Sequence, residues 1–285
     1  MTCYKCGKSL SKDAGACPDC GAKMTVTAIY RFSHRVLSSE KSTQGEILRA
    51  LDALQGLIAD GMPEAYTLMG CCYADGIGVE QDDAMATKLF RKAAKEEEPC
   101  AQFILGNRYE YGIGQPKSPK KAAEYFLLAA AQGHSEALSC IGFCYQFGSG
   151  VEQDLGKAFD YHKQAAEQGV PDSIRELGSF YYDGLQTPES VETALAHWML
   201  AAKKGDARAQ YLLATCYEDG DGVAEDLDEA LKYYRRSAKQ GYPEGQYGLG
   251  MYYYRYHGDT AKARKYLRLA AEQGHKGAKK MLQKI

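Results

Sequence analysis

The chain has 285 residues, 45% of them apolar and 25% charged, with a formal net charge of −2. That is enough chain for one large domain or two smaller ones, and the near-neutral charge gives no general attraction to phosphate. No run approaches the ~18 apolar residues of a membrane helix; the longest is Phe126–Ala131.

The chain opens on CYKCGKSLSKDAGACPDCG, which holds four of its ten cysteines. Cysteine, lysine and aspartate in the first twenty residues are unlike a secretory leader. The expected location is cytoplasmic, a reducing compartment where clustered cysteines bind metal more often than they form bridges. Cys3-x2-Cys6 and Cys17-x2-Cys20 are two matching hooks, each followed by a glycine, Gly7 and Gly21. A tetrahedral Zn²⁺ takes four sulfur ligands at ~2.3 Å, and one tight turn aims both sulfurs of each hook inward. A redox pair would need only one hook in a strand–helix setting. The expectation is a structural zinc ribbon over residues 1–24, a closed site of Cys3, Cys6, Cys17 and Cys20 without an open catalytic position. So short a segment cannot build a core alone, and metal binding of ~10–16 kcal/mol would supply its folding energy.

Residues 1–45 carry seven Lys/Arg against three acids, leaving the remainder mildly acidic. Four thiolates with Zn²⁺ would cut that surplus, so nucleic-acid binding through the ribbon is the weaker alternative to a protein-binding role. Thr25–Phe32 alternates Val26, Ala28, Tyr30 and Phe32 with other residues and reads as a strand extending the ribbon. Residues 38–45, SSEKSTQG, read as a polar linker.

Glu46–Asp60 reads as a lone N-terminal capping helix, since it ends at Gly61 in the phase of a second repeat helix. From Pro63 the sequence repeats every 36 residues. A small residue recurs as Gly70, Gly106, Gly142, Gly178, Ala214 and Gly250, and a tyrosine three further on as Tyr73, Tyr109, Tyr145, Tyr181, Tyr217 and Tyr253. Self-similarity at this period marks a solenoid, each copy one supersecondary unit unable to bury its apolar face alone. Ala65, Met69 and Tyr73 share one face of a first helix, which stops at a corner such as Gly76-Ile-Gly78, where glycine supplies positive φ. Asp82, Ser118, Asp154, Ser190, Asp226 and Asp259 then stand as N-caps of second helices. Copy four lacks the second corner glycine at Gly184-Leu-Gln186, and copy six loses three residues, so both corners depart from the common pattern. His275–Ile285, with Ala278 and Leu282 in first-helix phase, reads as the closing cap.

The pattern Ala-x3-Leu-Gly-x2-Tyr-x2-Gly-x-Gly, followed by Ala-x2-Tyr and an Ala-Ala pair before a closing glycine, resembles the Sel1-like repeat family, a relative of the tetratricopeptide repeat. It covers residues 63–274 in six copies. The resemblance implies an all-α, right-handed α-α solenoid superhelix of six repeats and an adaptor that holds partner proteins. By the same resemblance, the first-helix phases away from the packed face line a concave groove. They carry Phe103, Asn107, Glu110 and Tyr111 in copy two, then Phe143, Gln146 and Phe147, then Arg175, Tyr182 and Asp183. Copy five contributes Tyr211, Thr215, Glu218 and Asp219, and copy six Tyr247, Met251, Tyr254 and Arg255. Aromatic rings with polar tips, mixed with acids and amides, are what peptide-binding surfaces use. The expected partner is a protein or peptide segment with some basic character.

Cys72, Cys144 and Cys216 share one phase in alternate copies, too far apart for a bridge, and read as small buried residues. The six histidines are dispersed, and no nucleophile–base pair, phosphate loop or carboxylate pair stands at a telling spacing, so the sequence offers nothing for an enzyme.

Overall fold

A computed structural model describes residues 25–285. The cysteines Cys3, Cys6, Cys17 and Cys20, and with them the expected zinc ribbon, lie outside the described residues. Among those described, the chain is all-helical, with fifteen α-helices and no strand. It divides into two compact units, residues up to 144 with 148–152, and residues 145–147 with 153–285.

In the first unit, the repeat signature becomes a hairpin through one close approach. Helices α3 (Pro63–Asp75) and α4 (Asp83–Lys95) pack as a pair, as do α5 (Pro99–Tyr111) and α6 (Pro119–Ala131). In the second pair, a Cβ placed on Gly106 would stand 2.5 Å from the Phe126 ring. The ring occupies the space a side chain would need, which outweighs the ~1 kcal/mol that glycine costs inside a helix. The first helix ends on a left-handed residue, Gly76 at φ 70° in the first copy. The chain then turns so that Asp82 N–H donates to the Tyr73 carbonyl, 2.8 Å, while the Asp82 side chain accepts from Met85 N–H and opens α4. Tyr109 stacks on Tyr125 with centroids 5.6 Å apart and planes 10° apart, joining the two helices of the second pair.

The segment from Thr25 departs from expectation. It is a helix, α1 (Val26–Leu37), not a strand, and it pairs with α2 (Gln44–Ala59). Phe32, Ser33, Val36 and Leu37 are buried against Ala50, Leu51, Leu54 and Leu57, a helical spacing that outweighs the brief alternation of apolar residues before it. Ser33 Oγ donates to the Ala50 carbonyl, 3.2 Å, so α2 is the second half of a degenerate hairpin and not a lone cap. The polar stretch between them ends in a capping box, Thr43 accepting from Glu46 N–H while the Glu46 carboxylate accepts from Thr43 N–H.

In the second unit the pairs are α9 (Pro171–Tyr182) with α10 (Val191–Lys203), α11 (Ala207–Asp219) with α12 (Leu227–Lys239), and α13 (Pro243–His257) with α14 (Thr260–Glu272). Helix α8 (Leu155–Glu167) packs on α9, and the short α15 (Lys276–Leu282) on α14 through Ala278 and Leu267. Helix α7 (Ser135–Phe147) supplies its last three residues to this unit. Tyr145–Tyr161, Tyr217–Tyr233 and Tyr253–Tyr266 repeat the stacked pair at 5.7–5.9 Å. The corner of copy four keeps the common geometry without its second glycine. Gln186 itself takes a left-handed φ of 61°, and Ser190 N–H still donates to the Tyr181 carbonyl at 2.8 Å. Copy six closes its shortened corner through Gly258, with Asp259 N–H on the Tyr253 carbonyl at 3.1 Å. Cys72, Cys144 and Cys216 are buried, unbridged thiols, and burial pushes them up to about 12, 11 and 11 respectively.

Candidate partner-binding surface

The first-helix residues expected to line a groove fall into two groups with different fates. One phase holds neighbouring repeats together. Thr67 Oγ1 donates to the carboxylate of Glu98, 31 positions on, at 2.6 Å. In the next copy Phe103 stacks on His134, centroids 4.7 Å apart. In the second unit Arg175 Nε donates to Asp206 Oδ2 at 3.2 Å, Tyr211 lies 6.0 Å from Tyr242, and Tyr247 stacks on His275 at 4.4 Å. Each partner is the N-cap residue of the following first helix. Phe103, Arg175, Tyr211 and Tyr247 are thus engaged by the next repeat, and Arg175 is buried.

Arg175 anchors the densest charged network of the second unit. It contacts Asp172 and Glu176 as well as Asp206, and Arg208 reaches Glu176 at 3.6 Å. Burial works against its charge, but Glu176 and Asp206 outweigh that and hold its pKa above the ordinary value. Glu176 also accepts from Gln146 Nε2, whose Oε1 meets His162 Nε2 at 3.2 Å, and Ser173 Oγ lies 3.1 Å from His162 Nδ1. Burial lowers the His162 pKa to about 4, keeping the ring neutral.

A second group remains open to solvent. Tyr111 is 72% exposed in the first unit; Phe147 is 69%, Tyr254 40% and Tyr182 38% exposed in the second. Asn107, Phe143 and Met251 are half-buried. Glu218 is tied down, accepting from Tyr234 Oη at 2.6 Å and from Arg255 Nη1 at 3.2 Å.

Of the open residues of the second unit, Phe147 and Tyr182 line a cleft of about 410 Å³. Gln146 and Phe147 come from the end of α7, Glu176, Ser179, Tyr182 and Asp183 from α9, and Arg208, Leu212, Thr215, Cys216 and Asp219 from α11. Trp198 of α10 and Asp221 of the following corner complete it. Tyr182 Oη donates to Asp221 Oδ2 at 2.6 Å, and its ring lies 5.3 Å from that of Trp198. The hydrogen bond to Asp221, aided by burial, pushes the Tyr182 phenol up to about 12. Asp183 and Asp219 make no side-chain hydrogen bond or ion pair among the described residues, whereas the cleft's own cation, Arg208, is paired with Glu176. The cleft is therefore aromatic on its walls and negative at its rim.

Sequence reasoning placed Gln146, Phe147, Tyr182, Asp183, Thr215 and Asp219 on this surface but missed Glu176, Ser179, Trp198, Arg208, Leu212 and Asp221. Asp221 carried a signal, because, of the corresponding corner residues, Ile77, Ile113 and Leu185 are apolar and Ser149 is uncharged. Among the described residues no group of three or more His, Cys, Asp or Glu could hold a metal ion, and no helix is long and apolar enough to cross a membrane.

Two solved structures are similar. A Sel1 repeat protein from Oxalobacter formigenes is 31% identical, with a TM-score of 0.74, over 79% of this chain and 92% of that one. The protein c5321, a protective antigen of uropathogenic Escherichia coli strains with an SLR fold, is 28% identical, with a TM-score of 0.71, over 90% of this chain and 56% of its own length. No curated protein matches the chain. The Sel1 repeat profile matches residues 63–97, 101–134, 135–170, 171–206, 207–242 and 243–275. With six consecutive matches joined by the same hairpin geometry, the chain belongs to the Sel1 repeat family and carries its solenoid fold.

Proposed function

We propose that this chain is a protein-interaction scaffold that holds a segment of another polypeptide on its first-helix surface, with the cleft around Tyr182 as the principal contact in the second unit. Sel1 repeat proteins mediate protein–protein interaction, which supports the class of partner. The observation that carries the reading is the cleft itself, where Phe147, Tyr182 and Leu212 offer apolar area beside the carboxylates Asp183 and Asp219. Buried aromatic anchors ringed by polar groups carry most of the energy in peptide recognition, and the acidic rim favours a segment with basic residues. The test is selection from a displayed peptide library on the full chain. Selected peptides should lose at least about ten-fold in affinity on Phe147→Ala or Tyr182→Ala and keep it on the outer-helix change Leu200→Ser. Peptides indifferent to both cleft changes would refute the reading.

The accessory module is proposed to be a Zn²⁺ site of Cys3, Cys6, Cys17 and Cys20. Support comes from the doubled Cys-x2-Cys-Gly spacing and the four-sulfur preference of structural zinc. Elemental analysis of the purified full chain should find one zinc per chain, reduced in Cys3→Ser/Cys17→Ser. A metal-free wild-type chain that keeps its partner would contradict it.

A further inference from the structure

We infer that the cleft of the second unit is an arginine pocket: it takes one arginine side chain of the partner segment, the guanidinium lying against Tyr182 and forked onto Asp219 and Asp221. The inference rests on the scaffold reading and narrows it to one residue type. Three features of the cleft converge on that occupant.

The first is charge. Arg208 is consumed by Glu176, itself held by Arg175. Asp183, Asp219 and Asp221 also line the cleft, and among the described residues none of them forms an ion pair. Like charges kept together without a counter-ion repel one another, so a bound cation relieves the rim as well as binding to it.

The second is the wall. Tyr182, 38% exposed, presents ring surface over the buried Trp198, whose indole N–H donates to the Arg175 carbonyl, and the largely exposed Phe147 lines the same cleft. Aromatic faces attract cations, and a guanidinium more than an ammonium, because it is planar and weakly hydrated.

The third is the geometry of the acceptors. Tyr182 Oη uses Asp221 Oδ2, which leaves the other oxygen of Asp221 and both of Asp219 to accept. Divided acceptors on two side chains suit the fork of five donors in arginine better than the point charge of lysine. A volume of about 410 Å³ is in the range of a small-ligand site, enough for one long side chain and part of its neighbours.

The chain contains a single tryptophan, and it lines this cleft, so the site reports on itself. The experiment titrates the full chain with N-acetyl-arginine methylamide, N-acetyl-lysine methylamide and N-acetyl-citrulline methylamide, following Trp198 fluorescence. Backbone amide shifts give a second readout that needs no variant. The arginine compound is expected to saturate the signal, to bind about ten-fold more tightly than the lysine compound, and to shift amides of residues 179–183 and 212–221. The neutral citrulline compound should do neither, and Asp219→Asn/Asp221→Asn should abolish the arginine response while far-UV circular dichroism stays unchanged. Equal binding of arginine and lysine, a response to citrulline, or shifts elsewhere on the chain would overturn the inference. Any of these with library peptides still lost on Phe147→Ala or Tyr182→Ala would leave the scaffold reading standing; peptides indifferent to both changes would remove both.

Discussion

Arg175 and Asp206 lie 31 positions apart, and the guanidinium Nε of one reaches the Oδ2 of the other at 3.2 Å. The same two repeat positions meet as Thr67 with Glu98, as Phe103 with His134 and as Tyr247 with His275. One backbone geometry therefore brings two side chains together at successive repeat junctions, and the chain fills that seat with a hydrogen bond, an ion pair or stacked rings. Because the second member is always an N-cap residue, each contact also fixes where the next first helix begins.

Removing Arg175 should be the costliest single change in the second unit. Arg175→Met leaves the Asp206 carboxylate buried without its cation and Glu176 with only the more distant Arg208, and losing one partner of a buried pair costs about 3–5 kcal/mol. Urea unfolding followed by Trp198 fluorescence should show that loss. A change below about 1 kcal/mol would mean the network is worth no more than a surface pair.

Acid should weaken the second unit through His162. Its ring is fully buried and faces Ser173 and Gln146, with Glu176, Arg175 and Asp172 as the charges around it. Unfolded, it titrates near 6.5; folded, at about 4. Between those values the unfolded state binds more protons. The stabilisation is complete above pH 6.5 and is lost as pH falls towards 4, on the order of 3 kcal/mol in total. His162→Asn should flatten the pH dependence of unfolding across that window. Parallel profiles for variant and parent would exclude His162 as the source.

Gly106→Ala should destabilise the first unit by about 1–3 kcal/mol, since the new methyl would stand 2.5 Å from the Phe126 ring. Gly106→Ala/Phe126→Leu should recover part of the loss. If Gly106→Ala is neutral by thermal unfolding, the close approach is not what joins α5 to α6.

Gln186→Gly should stabilise the corner of copy four by roughly 0.5–1 kcal/mol, since a non-glycine residue holds a left-handed φ of 61° there. A lower melting temperature in the variant would show that the Gln186 side chain contributes more than its backbone strain costs.

Much of this architecture was legible in the sequence because the repeat imposes it. The glycine beside Phe126, the tyrosine that stacks on a second-helix ring in five of the six hairpins and the six second-helix N-caps recur in phase, so each copy supports the reading of the others. Helix α1 was not legible. It places Ser33 where the repeats place glycine, with its hydroxyl on the Ala50 carbonyl, and has Val36 where they have tyrosine. The binding surface was half legible. A helical phase gives the direction of a side chain along one helix but not what meets it. Phe103 and Tyr247 point along the same row as Thr67, and it is the residue beginning the next repeat that engages them. The cleft draws on α7, α9, α10 and α11, so no single window of sequence contains it.

The most direct test of the account is hydrogen–deuterium exchange of the full chain with and without a library-selected peptide. Protection over residues 175–183 and 208–221 would place the peptide on the first helices that form the cleft, as the account predicts. Protection confined to the second helices α8, α10 and α12, with the cleft segments unchanged, would contradict it.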